Sequence, residues 1–228
     1  MKEAMNHYQQ LISSFTGKLL RDYFGKGPES VFVSIGSSCI AIYARKFLTP
    51  SERVLLEQKQ GAIVDQVRGL LLERMAPEIA NYIATVTGVR PEEIYCDWNV
   101  DSRTLMILGL TGESMLEVES DAAGYAGKQE LEREISRISE EAASSQIASY
   151  EINARTLLVV RTGVLVRIEQ ELIRLGQSEL LRRAKRDLAK RELLRSSAVE
   201  GILGRRIVDA FADWDFSRDR SVMLLLLA

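Results

Sequence analysis

The sequence predicts an α+β fold built twice, each copy running helix, two strands, long helix, two strands, with antiparallel hairpins and the helices on one face. The first observation behind this is an internal repeat. Ile35, Leu48, Glu52, Leu55 and Gln60 recur 117 residues later as Ile152, Leu165, Glu169, Leu172 and Gln177. Gly88, Arg90, Asp97 and Trp98 recur after 116 residues as Gly204, Arg206, Asp213 and Trp214. The offset is then expected to return to 117, which pairs Arg103, Met106, Leu108 and Leu110 with Arg220, Met223, Leu225 and Leu227. The second observation is a period-two alternation in short β-rich runs, and the third is a 3.6-period pattern between them. The two domains are expected at 1–117 and 118–228, joined by a linker over about 111–128. An intramolecular pseudo-dimer follows, because each copy buries the face its ancestor buried against itself. A homodimer is a further open arrangement.

The first helix is expected from about Tyr8 to Phe24, with Leu11, Phe15 and Leu19 at helical spacing. Gly25, Lys26, Gly27 and Pro28 stop it. Val31, Val33 and Ile35 alternate as a strand, and Ile40–Phe47 completes a hairpin around Gly36 to Ser38. Thr49-Pro50-Ser51-Glu52 opens the long helix. Thr49 is the N-cap, Pro50 fits the first helical position and Glu52 completes a capping box. Its inward stripe is expected to be Val54, Leu55, Ile63, Val67, Leu70 and Leu71. Pro77 should kink or break it, and Gly88 should end it. The second copy lacks that proline, so Glu169–Leu203 is expected to be one unbroken helix of roughly 50 Å. That length exceeds one unit and predicts packing on the sister copy. Ile94–Trp98 with Thr104–Leu110, and Val208–Trp214 with Ser221–Leu227, close the copies as hairpins.

Composition narrows the function classes. The 228 residues are 46% hydrophobic and 27% charged, as in ordinary globular chains. A net charge of -2 gives no global attraction to nucleic acid, and no nucleic-acid partner is expected. Cys39 and Cys96 have no cysteine counterparts, which favours a reducing compartment over a disulfide framework. Met1 to Gln10 is polar, so no signal peptide is expected. The longest clean apolar run, Val222 to Ala228, is far below the ~20 residues of a membrane span. A cytoplasmic protein is expected, with a peripheral membrane position open and no transmembrane segment of its own.

Three motifs, Gly25-Lys26-Gly27-Pro28-Glu29-Ser30-Val31, then Leu48-Thr49-Pro50-Ser51-Glu52, then Thr87-Gly88-Val89, resemble in their order the MpsC-like family of bacterial proteins, which includes the YbcI-type proteins. The second copy departs from the pattern. Gly27, Pro28 and Glu29 align with Ser144, Ser145 and Gln146, and Thr49-Pro50 with Val166-Arg167. The resemblance implies an accessory role beside a cation-linked, membrane-potential-generating system, with a membrane ion-translocating complex as the protein partner. It implies no catalytic residues.

Two candidate sites emerge from the residues themselves. Gly25, Lys26 and Gly27 form a turn with backbone donors and one cation, suited to an anion such as phosphate or bicarbonate. The turn follows a helix rather than preceding one, so a plain helix stop is the better reading on turn-residue grounds. Arg182, Arg183, Arg186 and Lys190 form a basic helix face that could dock on an acidic partner or an anionic membrane surface. A solvated face paired with carboxylates of the first copy is the competing explanation. Asp97, Asn99 and Asp101, and likewise Asp213, Asp215 and Asp219, lie around hairpin turns without calcium-loop spacing, so no metal is expected. His7 is the lone histidine, and no nucleophile–base set, metal-ligand set or nucleotide fingerprint accompanies it. No catalytic site and no cofactor are expected. An enzyme with an unrecognised carboxylate site stays as the third function class.

Overall fold

The computed structural model describes residues 2–112, 124–139 and 145–228. These form two compact units, one per repeat. The boundary expected at 117/118 and most of the expected linker, 111–128, lie outside the described residues.

In the first unit α1 (Lys2–Phe24) leads into β1 (Ser30–Ile35) and β2 (Cys39–Arg45), then α2 (Pro50–Glu57), α3 (Gly61–Thr87), β3 (Glu93–Asn99) and β4 (Thr104–Leu110). The sheet order is β1-β2-β4-β3, antiparallel throughout. The second unit repeats this with α4 (Lys128–Ile138), β5 (Gln146–Asn153), β6 (Thr156–Thr162), α5 (Arg167–Arg174), α6 (Ser178–Arg195), α7 (Ser197–Leu203), β7 (Ile207–Asp215) and β8 (Arg220–Leu227). Its order is β5-β6-β8-β7. The expected α+β class, the doubling and the hairpins are all present.

Alternation along the strands directs one side chain set at the helices. Ile40, Ile42, Ala44, Leu105, Ile107 and Trp98 meet Ile12, Leu19 and Leu20 of α1 and Leu72, Met75, Ile79 and Ile83 of α3. In the second unit Leu157, Val159, Ala212, Met223 and Leu225 meet Leu131 and Ile135 of α4, Leu193 of α6 and Val199 of α7. Each fully buried aliphatic side chain contributes about 1.5–3 kcal/mol relative to exposure. α1 starts six residues earlier than expected, because Met5 continues the apolar stripe of Tyr8 and Ile12 onto the core.

The long helix departs from expectation in four ways. It breaks after Glu57, where sequence offers neither glycine nor proline. Lys59 takes left-handed geometry at φ 59, the Gln60 amide donates to Leu55 O (2.8 Å) and the Lys59 amide to Leu56 O (2.9 Å). This is a Schellman ending built on a lysine. The second unit repeats it at Gly176 (φ 76), with Gln177 to Leu172 and Gly176 to Ile173, both 2.9 Å. The expected unbroken helix over Glu169–Leu203 is therefore three helices. Pro77, conversely, does not break α3, which runs through it at an exposed position where the freed carbonyl needs no protein partner. Fourth, four of the six residues of the expected inward stripe are turned outward, while Leu55 and Leu71 are half-buried. Val54, Ile63, Val67 and Leu70 are 51%, 42%, 43% and 61% exposed, while Val64, Arg68, Leu72, Met75, Ile79 and Ile83 form the buried face.

Strand register also corrects the repeat alignment. Ala41 pairs with Leu108 and its counterpart Leu158 pairs with Leu224. The offset thus stays at 116 through the last strands, and Met106 corresponds to Val222 rather than Met223. Arg103 (φ 56) corresponds to Asp219 (φ 48), the last turn residue before the closing strand in each unit. The missing residue falls within the helical stretch of the second unit, between Lys185, aligned at 117 on Arg68, and Gly204, aligned at 116 on Gly88. Deleting one residue rotates all that follows by about 100° around a helix axis. The break at Ser196 between α6 and α7 accommodates that rotation, and Ser196 caps the restart by accepting from the Val199 amide at 3.3 Å.

Two substitutions test this reading by chemical denaturation. Thr49→Ala, which removes the side chain accepting from the Glu52 amide, should cost about 1 kcal/mol. Lys59→Gly should stabilise by about 0.5–1 kcal/mol, because relief of left-handed strain exceeds the entropic penalty of glycine. A destabilised glycine variant would show that Lys59 is not strained.

Candidate functional site

The Glu52–Arg68 pair lies beneath the candidate site. Glu52 accepts the Thr49 amide on Oε2 at 2.8 Å, and its own amide donates to Thr49 Oγ1 at 3.2 Å, completing the capping box. The same carboxylate takes a forked contact from Arg68, Nε to Oε1 at 2.8 Å and Nη2 to Oε2 at 3.0 Å. Arg68 Nη2 also donates to Phe47 O at 2.9 Å, and the guanidinium lies 5.0 Å from the Phe47 ring centre. Its Nη1 is buried without a hydrogen-bond partner. Burial opposes ionisation of Glu52, but the hydrogen bonds and charge of Arg68 outweigh it and hold the carboxyl below its ordinary value. The second unit carries the same pair as Glu169 and Lys185, 2.5 Å apart.

This pair fixes the segment 46–53 against α3, and a cavity of about 270 Å³ opens on that segment's outer side. Four elements meet there. The turn after α1 supplies Lys26, Gly27 and Glu29, the end of β2 supplies Lys46, α2 supplies Arg53, and the β3–β4 turn supplies Arg103. Backbone hydrogen bonds hold the walls together. The Glu29 amide donates to Arg45 O at 3.0 Å, and the Phe47 amide to Arg103 O at 2.7 Å. Lys26 Nζ donates to Leu48 O at 3.0 Å, and Lys46 pairs with Glu29 at 2.8 Å. Among the described residues, Arg53 and Arg103 have no acidic partner.

Of the turn singled out from sequence, Lys26 and Gly27 line this cavity. Gly25 serves the helix stop, with φ 73 and its amide on Arg21 O at 2.9 Å. Gly27 lies in a close approach, since a Cβ there would lie 3.3 Å from Arg21 Nε and 3.4 Å from Gly17 O, contacts that a small shift of the Arg21 side chain would relieve. Lys46, Arg53 and Arg103 were not anticipated, because they come from three separate elements. One signal in the sequence pointed to them. Lys26, Lys46, Arg53 and Arg103 correspond to Ala143, Gly163, Gln170 and Asp219, so the second repeat has lost all four cations.

The basic helix face is divided. Arg186 is half-buried and donates to Asp213 at 2.7 Å, Arg182 lies 3.9 Å from the same carboxylate, and Arg183 is exposed. The acid these residues meet belongs to their own unit. Lys190 is partly buried. The turn carboxylates are engaged by backbone. Asp97 and Asp213 each accept the next residue's amide at 2.8 Å, and Asp215 accepts the Ser217 and Arg218 amides at 2.9 and 3.1 Å. His7 sits within α1 and is exposed. Burial pushes the Cys39 thiol up to about 11, which keeps it protonated at neutral pH. Among the described residues, no helix is long and apolar enough to cross a membrane.

A duplicated antiparallel α+β unit, with an acid–base pair buried in the first copy and partly buried in the second, and a cationic cavity in the first, defines the class of protein. The family described as "Na+-translocating membrane potential-generating system (MpsC)" matches residues 5–111 and again 127–228, and the chain belongs to it. The chain is similar to YbcI of Bacillus subtilis (strain 168), a protein described as uncharacterized, with 29% identity over 105 residues, 46% of this chain and 83% of that protein. No solved structure matches.

Removing one member of the buried pair should be costly. Arg68→Leu should lose about 3–5 kcal/mol by stranding the Glu52 charge, and Arg68→Lys should lose less, since the second unit uses lysine here. Because the folded Glu52 carboxyl lies below its ordinary 4.5, the pair's contribution is complete above about pH 4.5 and fades as pH falls through the lowered value. Unfolding curves of Glu52→Gln across that acid range should show a flatter pH dependence than wild type. An unchanged slope would mean that Glu52 does not drive it.

Proposed function

We propose that the chain is a non-enzymatic accessory component of a Na+-translocating, membrane-potential-generating system, acting from the membrane periphery through a protein partner. The family match over both repeats carries this reading. The exposed stripe on the first unit supports it. Ile63, Val67 and Leu70 recur at i, i+4 and i+7, so they share one face of α3, with Val54 exposed on α2. A contiguous exposed apolar strip on a helix suits a partner's apolar surface. In the second repeat the corresponding residues are Glu171, Leu180, Ala184 and Asp187, so carboxylates interrupt the strip at two of its four positions while Leu180 stays apolar and 59% exposed. The partner contact is accordingly assigned to the repeat that keeps the family motifs.

Deleting the protein should lower the Na+-dependent membrane potential of cells, and the wild-type chain should restore it. A Val67→Asp, Leu70→Asp chain should fold but fail to restore it and should leave the membrane fraction. An unchanged potential after deletion, with no wild-type protein on membranes, would refute the accessory role.

A further inference from the structure

The geometry points to a ligand site for a small phosphate-bearing anion, inorganic phosphate or a phosphomonoester, in the first-repeat cavity bounded by Lys26, Lys46, Arg53 and Arg103. The charge count favours an anion of more than one negative charge. Lys46 is balanced by Glu29 at 2.8 Å, which leaves Lys26, Arg53 and Arg103 facing the same space. Lys26 spends one donor on Leu48 O and retains two. Two guanidinium forks with no acidic partner among the described residues suit the paired oxygens of a phosphate group. At about 270 Å³ the cavity lies at the small end of ligand pockets, which reach roughly 300–1,000 Å³. A phosphate with a short substituent fits that scale, and a dinucleotide does not.

The second repeat supplies an internal comparison. It keeps the sheet order, the Schellman break and the acid–base pair, yet Lys26, Lys46, Arg53 and Arg103 become Ala143, Gly163, Gln170 and Asp219. At the last position the charge is reversed, and the Asp219 carboxylate accepts the amides of Val164 and Leu165, both at 2.8 Å. Those two residues correspond to Phe47 and Leu48, and Leu48 borders the first-repeat cavity. The second repeat thus seats its own carboxylate against a backbone segment that in the first repeat faces a cationic space. Backbone conformation reinforces the point. Positions 46 and 163 are both left-handed, at φ 51 and φ 69, and glycine is the unstrained residue there. Strain alone does not carry the case, because Lys59 is strained in the same way outside the cavity. The joint loss of four converging cations in a repeat that otherwise keeps its architecture does.

Isothermal titration of the full chain at low salt, with inorganic phosphate and then glycerol phosphate, tests the site. Saturable binding is expected, weakened about tenfold or more by Arg53→Gln and by Arg103→Gln, since each removes a charge-assisted contact. Arg183→Gln, an exposed cation on the second unit, should leave the affinity unchanged. Stronger binding of glycerol phosphate would identify a phosphomonoester, and stronger binding of phosphate the free ion. No saturable binding of either, equal loss in Arg183→Gln, or binding of bicarbonate with none of phosphate would overturn the proposal. Both cavity substitutions are at exposed positions, so matching thermal melts separate lost binding from lost folding.

Discussion

The buried acid–base pair that joins the start of α2 to the middle of α3 is the constraint around which each unit is arranged. Glu52 satisfies an N-terminal backbone donor and neutralises Arg68 with the same two oxygens. Arg68 in turn reaches Phe47 O, so one side chain ties the strand exit, the helix start and the long helix together. Two charges taken out of water gain little net stability, because desolvation offsets most of their attraction. What the pair supplies is geometry. A short helix that ends in a Schellman turn could leave in many directions, and only one places Glu52 on Arg68. The second unit keeps the device with a lysine, which pairs with Glu169 and lies 5.4 Å from the Trp214 ring centre. Lysine suffices there because no carbonyl contact like that to Phe47 is asked of it.

The strands and the helix caps were legible beforehand. The four hairpins follow from alternation, and Thr49, Glu52 and Gly88 behave as their local chemistry dictates. The helix interior was not legible, for a physical reason. α3 is apolar on more than one face, and a charged residue at 68 reads as solvent-facing. In fact the charge is the buried centre and Ile63, Val67 and Leu70 are outside. The useful clue was not hydrophobicity. Opposite charges 16 residues apart recur in both repeats, Glu52 with Arg68 and Glu169 with Lys185. The break at Lys59 was equally hidden, because its signature residue, glycine, stands only in the sister copy.

The candidate site was half visible. The Gly25–Pro28 turn advertises itself by composition, but a turn with one lysine is chemically weak. The cavity owes its charge to residues 20, 27 and 77 positions further along, brought in by three other elements. No local pattern links them. Comparing the repeats does, because a duplicated chain records which residues the fold needs and which it does not. Positions that both copies retain, such as the buried pair and Gly88 with Gly204, are needed for folding in each. Positions charged in one copy and neutral or reversed in the other are free of that demand.

That separation bears on how the two repeats divide their work. The first keeps a cationic cavity and an exposed apolar strip, and it retains left-handed lysines at 46 and 59 where glycine would fit without strain. The second has glycine at both positions, an aspartate in the turn, and carboxylates at two of the four strip positions, Glu171 and Asp187. A repeat released from binding can drift toward backbone comfort and a solvated surface without losing its sheet or its buried pair. The glycines at 163 and 176 and the carboxylates at 171 and 187 run in that direction, whereas Leu180 stays apolar and Asp219 stays left-handed at φ 48, so the two copies differ selectively and not uniformly.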